Sequence, residues 1–245
     1  MQSSRYREID FLRGLAVVLM VIFNYAFTLA YFQIYAVAGG WLFWFLFPRI
    51  IASIFIFLAG VSFTLSYSRI SKKSGSYIYK KYFIRGAKIF LLGLLITAAT
   101  WIFVPQGAII FGILHLIGIS IIIAPLFRNF KRANLFLGLL FIIIGIYLQN
   151  FTIQNLWLSW LGLIPKNFYT FDYFPIFPWF GVILLGIFAG NTLYANGKRR
   201  FQIRDFSSAM PINFFQKLGR NSLLIYLLHQ PILIAVLYVL GFTLF

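Results

Sequence analysis

Long apolar runs dominate this chain, separated by short polar stretches. Seven of them approach the length of a membrane crossing: 11–30, 50–68, 84–104, 108–127, 134–148, 177–194 and 222–244. An apolar helix of about 20 residues rises roughly 30 Å, the thickness of a hydrocarbon core. The fifth run is short, so its ends are the least defined. The runs lack the period-two alternation of a barrel strand and are too long for one. The pattern predicts an all-α polytopic membrane helix bundle of about seven transmembrane helices, one domain over residues 1–245.

Two connecting segments are too apolar for ordinary loops. YFQIYAVAGGWLFWFLFP carries Gly39-Gly40 at its centre and Pro48 at its end, and NLWLSWLGLIP has apolar residues at helical spacing. Both are expected to lie flat in the interface or to re-enter the protein, where irregular backbone is tolerated only if covered. Pro105-Gln106-Gly107 predicts a tight turn. No internal repeat is evident, which argues against an inverted-repeat transporter. The first run is too long for a signal peptide and lacks a small-residue cleavage site, so the first helix is expected to be retained.

Charge adds the orientation. Of 21 Lys and Arg residues, 19 fall into four blocks: Arg5/Arg7/Arg13, Arg69 to Lys88, Arg128/Lys131/Arg132, and Lys198 to Arg220. They alternate with the apolar runs as the positive-inside rule requires. The expected topology has a cytoplasmic N-terminus, inner loops near 69–83, 128–133 and 195–220, and an outside C-terminus, in a multi-pass cell-membrane protein. All six tryptophans then fall on the outer half, as an interfacial belt or as the lining of an outward-facing site. A formal charge of +17 suggests nucleic acid in a soluble protein. Here the basic residues sit at helix ends, facing anionic lipid, and no nucleic-acid motif accompanies them. At 62% hydrophobic and 10% charged, the partner is the lipid bilayer.

Few residues can carry chemistry. There is no cysteine, which excludes disulfides, thiolate metal sites and a cysteine acyl-enzyme; no metal is expected. Ionisable groups within a membrane are rare and costly, so His115 and His229 stand out. Imidazole suits proton transfer near neutral pH, although a histidine can also simply bridge helices. Pro231, beside His229, is expected to perturb the helix ladder. Asn24 can bridge helices or orient a carbonyl. Asp172 is the one carboxylate expected outside, as a turn former or a general base; Glu8, Asp10 and Asp205 fall on the cytoplasmic side. Asp10 and Arg13 share a helix face, as a local ion pair or as part of a phosphate-binding group that nearby basic residues extend.

The stretch REIDFLRGLAVVLMVIFNY resembles the start of the heparan-alpha-glucosaminide N-acetyltransferase catalytic domain family, closest to its small prokaryotic members. FGILHLIG and DYFPIFPWFGVILLGIFAG resemble two further signatures of those members. LGRNSLLIYLLHQPI resembles the last helix of this group and of the wider membrane acyltransferase-3 proteins. The resemblance implies a transmembrane acyltransferase. Acyl-CoA, acetyl-CoA in particular, would donate on the cytoplasmic side, and a hydroxyl or amine of an outer-face sugar, glycolipid or glycan would accept. In these terms Asp10, Arg13, Arg85 and Arg220 belong to the inner CoA-binding set, with Asn24 and Tyr25 near the thioester.

The chain departs from the family's pattern at one place. The catalytic histidine usual in the glucosaminide enzymes aligns with Ile34 or Tyr35, and that of acyltransferase-3 proteins aligns with Asn24. Either His115, His229 or Asp172 acts as the base, or acyl transfer has been lost. The alternative function is a carrier, flippase or lipid-binding protein on the same scaffold; a third is a structural membrane subunit. Homo-oligomerisation stays open.

Overall fold

The computed structural model describes residues 6–194, 197–202 and 210–242; Arg5, Arg204 and Asp205 lie outside them. Among the described residues the protein is helical, with one isolated bridge, Thr152 to Ile164, and no strand. Eight α-helices follow in order: α1 Arg7–Tyr31, α2 Phe47–Ser68, α3 Gly75–Phe103, α4 Ile113–Phe127, α5 Ala133–Leu148, α6 Ile176–Leu193, α7 Met210–Arg220 and α8 Ser222–Val239. Six helical stretches are long and apolar enough to cross a membrane, and α5 is a shorter apolar helix. Its 16 residues rise about 24 Å, just short of the hydrocarbon thickness. All seven expected runs are therefore helices, in a polytopic helical membrane architecture.

The connections differ from expectation in three places. The second crossing begins at Leu42 rather than near residue 50, because a π-helical turn, Leu42–Leu46, leads directly into α2. Pro48 sits in the first turn of α2 instead of ending a separate segment. Its nitrogen has no hydrogen for the carbonyl of Trp44, and a widened turn accommodates such a gap. The second apolar segment is not an interfacial helix. It is an irregular connection holding a 3-10 turn, Ser159–Leu161, which stops at Gly162 in the left-handed region (φ 120°). The expected inner loop 195–220 contains α7. By contrast, Pro105–Gly107 forms the tight turn expected there, and α8 continues through Pro231.

The chain divides into two compact units. The first comprises Met1–Phe55 and Ile203–Phe245. Its α1 starts with Glu8 and Asp10, whose charge suits the positive end of the helix. α7 lies against this start: a Cβ on Gly14 would collide with the Phe215 carbonyl, and one on Gly219 with that of Asp10. Phe11 and Phe215 meet edge to face at 5.5 Å. The opposite side of α7 leaves Met210 and Phe214 exposed.

The second unit is Ile56–Gln202. Its helices approach through glycine pairs, Gly60 with Gly186, Gly86 with Gly118 and Gly138 with Gly181, where a Cβ would strike the facing backbone. Small residues of this kind allow close helix contact in lipid. Ile56, Leu116, Phe180, Leu184 and Ile187 are almost fully buried within it. Trp101, Trp157 and Trp160 are exposed, in keeping with an aromatic belt.

Candidate functional site

In the first unit, ion pairs gather at the start of α1. The Asp10 side chain is buried, and its Oδ2 accepts from Arg220 Nε at 3.4 Å. Arg13, one turn on from Asp10, lies 3.8 Å from Oδ1. One carboxylate thus holds two guanidinium groups. The Arg220 side chain is 46% exposed and that of Arg13 26%, and Asp10 fixes the direction of both. Arg85 belongs to the second unit, exposed on α3.

Farther along α1 the polar side chains form a ladder. Asn24 Nδ2 donates to the Met20 carbonyl at 3.0 Å, and Thr28 Oγ1 donates to the Asn24 carbonyl at 2.8 Å. Gln230 of α8 donates from Nε2 to Thr28 Oγ1 at 2.8 Å. Beside it, His229 Nδ1 lies 2.6 Å from the Tyr226 carbonyl. A carbonyl only accepts, so Nδ1 carries the hydrogen and the neutral ring keeps its lone pair at Nε2. Tyr25 is exposed on another face of α1. Ile34 and Tyr35 lie in the turn beyond α1, after Gln33 in the left-handed region (φ 55°). Tyr35 and Gln33 are the polar residues of a shallow cleft of about 400 Å³ lined otherwise by Ala30, Ala36, Val37 and Ala38.

In the second unit, His115 and Asp172 meet at the N-terminus of α4. His115 is 2% exposed. The backbone N–H of Gly112 donates to His115 Nδ1 at 3.2 Å, which leaves the ring hydrogen on Nε2, 3.4 Å from Thr97 Oγ1. Thr97 sends its own hydrogen to the Ile109 carbonyl at 2.6 Å, so it accepts from the imidazole. Phe111 stacks on the ring and Phe90 meets it edge-on. Asp172 Oδ2 accepts the next N–H, that of Ile113, at 3.0 Å. Two of the four N–H groups that a helix start leaves unpaired are thereby satisfied by side chains, with the carboxylate at the positive helix end. Gly112 is required here, since a Cβ would collide with Asp172.

The two histidines thus hold opposite tautomers. His115 has both nitrogens engaged, whereas His229 is held by Nδ1 and presents Nε2 as a base. Among the described residues no group of three or more His, Cys, Asp or Glu side chains is placed to hold a metal ion.

The model of the heparan-alpha-glucosaminide N-acetyltransferase catalytic family matches residues 5–231. The chain belongs to that family. No curated protein and no solved structure matches it. Membership in the glucosaminide N-acetyltransferase family, with six crossing-length helices, makes this a multi-pass membrane protein of acetyltransferase-like character. Of the expected site residues, the structure brings Asp10, Arg13 and Arg220 together, and separately His115 with Asp172. Sequence reasoning missed Thr97, Thr28 and Gln230. Of these, Gln230 had a local signal, as a polar residue inside an apolar helix between His229 and Pro231.

Proposed function

We propose that this protein transfers an acetyl group from acetyl-CoA on the cytoplasmic side to a hydroxyl or amine of an outer-face sugar, glycolipid or glycan. Arg13, Asn24, Tyr25, Arg220 and His229 all lie in the first unit. Arg13 and Arg220, aimed by Asp10, bind the CoA phosphates, for which guanidinium groups suit bidentate contact. Arg85 remains a candidate phosphate ligand from α3. From Arg13 to Asn24 is about 16 Å of helix, a distance that the pantetheine arm can span. Asn24 and Tyr25, which resemble an asparagine-tyrosine pair of the glucosaminide enzymes, then stand near the thioester.

The observation that carries this reading is the His229 tautomer. In a chain without the usual histidine, His229 Nε2 is the imidazole lone pair best placed to act as a base, because His115 has both nitrogens bonded. His229 takes the proton from the acceptor O–H or N–H, and the acceptor atom attacks the thioester carbonyl. The C–S bond breaks, and the departing sulfur takes the proton from His229, giving acetylated acceptor and CoA. His115 and Asp172 remain alternative bases.

The test is binding and turnover of labelled acetyl-CoA by the purified protein in detergent, with glucosamine as acceptor. Saturable CoA binding that Arg13→Ala weakens, and turnover that His229→Ala abolishes with folding intact, support the proposal. No saturable binding by the wild type removes the donor assignment, and lipid movement without CoA turnover identifies a carrier or flippase instead.

A further inference from the structure

Gln230 occupies the apolar helix α8 with half of its amide used. The Thr28 hydroxyl has one hydrogen, which goes to the Asn24 carbonyl at 2.8 Å. Toward Gln230 it can therefore only accept, and the amide must present Nε2–H to it. Thr28 is 1% exposed, so this orientation is fixed by packing as well as by bond polarity. The consequence is that Gln230 Oε1 faces away from Thr28, buried and with no hydrogen-bond partner among the described residues. A buried carbonyl left unpaired forfeits its full hydration, whereas an apolar residue of similar shape would not.

Two neighbouring groups have the same polarity. Pro231 has no N–H to give to the carbonyl of Leu227, which lies one turn back and on the same side as Gln230. His229, the adjacent residue, holds a lone pair at Nε2. Acceptors thus outnumber donors in this stretch of α8, where the second Nε2–H of Gln230 is still a donor. A ligand that fits it brings a hydrogen-bond donor.

We infer that Gln230, clamped by Thr28, binds a hydroxyl or amide N–H of a ligand inside the membrane through its Oε1. Gln230 is a positioning residue, distinct from the base. The ligand's identity rests on the proposed acetyl transfer, which offers two sources for such a donor: the acceptor's hydroxyl or amine, and the amide N–H groups of the pantetheine arm.

The experiment uses the full chain in detergent, with acetyl-CoA and glucosamine as separate probes. Gln230→Leu removes the acceptor oxygen, Gln230→Glu retains one, and Thr28→Val releases the clamp. The expected result is about a tenfold loss for Gln230→Leu, and smaller losses for Thr28→Val and Gln230→Glu, each of which keeps an acceptor oxygen but loses the clamp. A rise in the acetyl-CoA Kd with the glucosamine KM unchanged assigns the pantetheine arm; the converse assigns the acceptor. Without ligand, Gln230→Leu is expected to unfold at or above the wild-type temperature, and Thr28→Val keeps the test valid if the leucine variant does not fold. Equal affinity of wild type and Gln230→Leu for both probes overturns the inference, because the oxygen then holds only water. A wild type that binds neither probe overturns the proposed function, and this inference with it.

Discussion

Asp172 closes the start of a helix that begins 59 residues earlier in the chain, its Oδ2 accepting the Ile113 N–H at 3.0 Å. An asparagine at this place keeps an acceptor oxygen and loses the charge. Asp172→Asn is expected to cost about 0.3–1 kcal/mol, the charge–dipole contribution, and Asp172→Ala about 0.5–2 kcal/mol, the whole cap. Thermal unfolding in detergent measures both. If Asp172 only caps α4, Asp172→Asn retains turnover; a folded but inactive Asp172→Asn transfers the role of base to it.

The histidines separate in the same way. His115→Ala strips the Gly112 N–H of its acceptor and opens a hole beside Phe90 and Phe111, for an expected loss of about 2–4 kcal/mol. Its folded fraction should remain active. His229→Ala, on a half-buried position of α8, is expected to unfold close to the wild type and to be inactive. Unfolding midpoints measured beside specific activity decide the assignment, and the reverse pattern would make His115 the base.

The apolar runs and the basic blocks between them were enough to place the helices, because lipid forces every crossing to satisfy its backbone internally. They did not place the start of the second crossing. Trp41 to Phe47 read as interfacial aromatics, and only the π turn ahead of Pro48 makes them continuous with α2. α7 is not legible in the sequence, because it spans only 11 residues within a basic segment. The site was legible where partners are close in sequence, as for Asp10 and Arg13. Asp172 and His115 were each visible as rare polar groups, but their meeting at one helix end depends on how the chain returns to α4. Arg220 reaches Asp10 from 210 residues away for the same reason. Gln230 gives no comparable signal in the sequence, because an uncharged amide does not titrate.

The contact of α1 with α7 depends on absent side chains. Gly14 and Gly219 face backbone atoms that cannot rotate away. Gly14→Val is expected to cost about 3 kcal/mol, at the upper end for overpacking, and to release Arg220 from Asp10. Gly75→Ala is the control, since a Cβ there meets nothing, and its midpoint should stay within about 0.5 kcal/mol of the wild type. Equal effects of the two substitutions would count against this docking.

Tyr173 gives a prediction in pH. Its hydroxyl donates to the Ser159 carbonyl at 2.7 Å, and burial pushes its pKa well above the usual tyrosine range. The folded protein therefore keeps this proton where an unfolded chain, with a tyrosine pKa near 10, has lost it. Stabilisation from the protonated hydroxyl is complete below about pH 10 and declines as pH rises toward the folded value, by up to about 1.4 kcal/mol per pH unit. Tyr173→Phe removes one hydrogen bond and is expected to cost about 1 kcal/mol at pH 8. It also removes this source of alkaline sensitivity, so the gap between variant and wild type should close above pH 10. Unfolding midpoints of the two proteins at pH 8 and pH 11 give the comparison; curves that stay parallel would mean that Tyr173 titrates alike in the folded and unfolded chain.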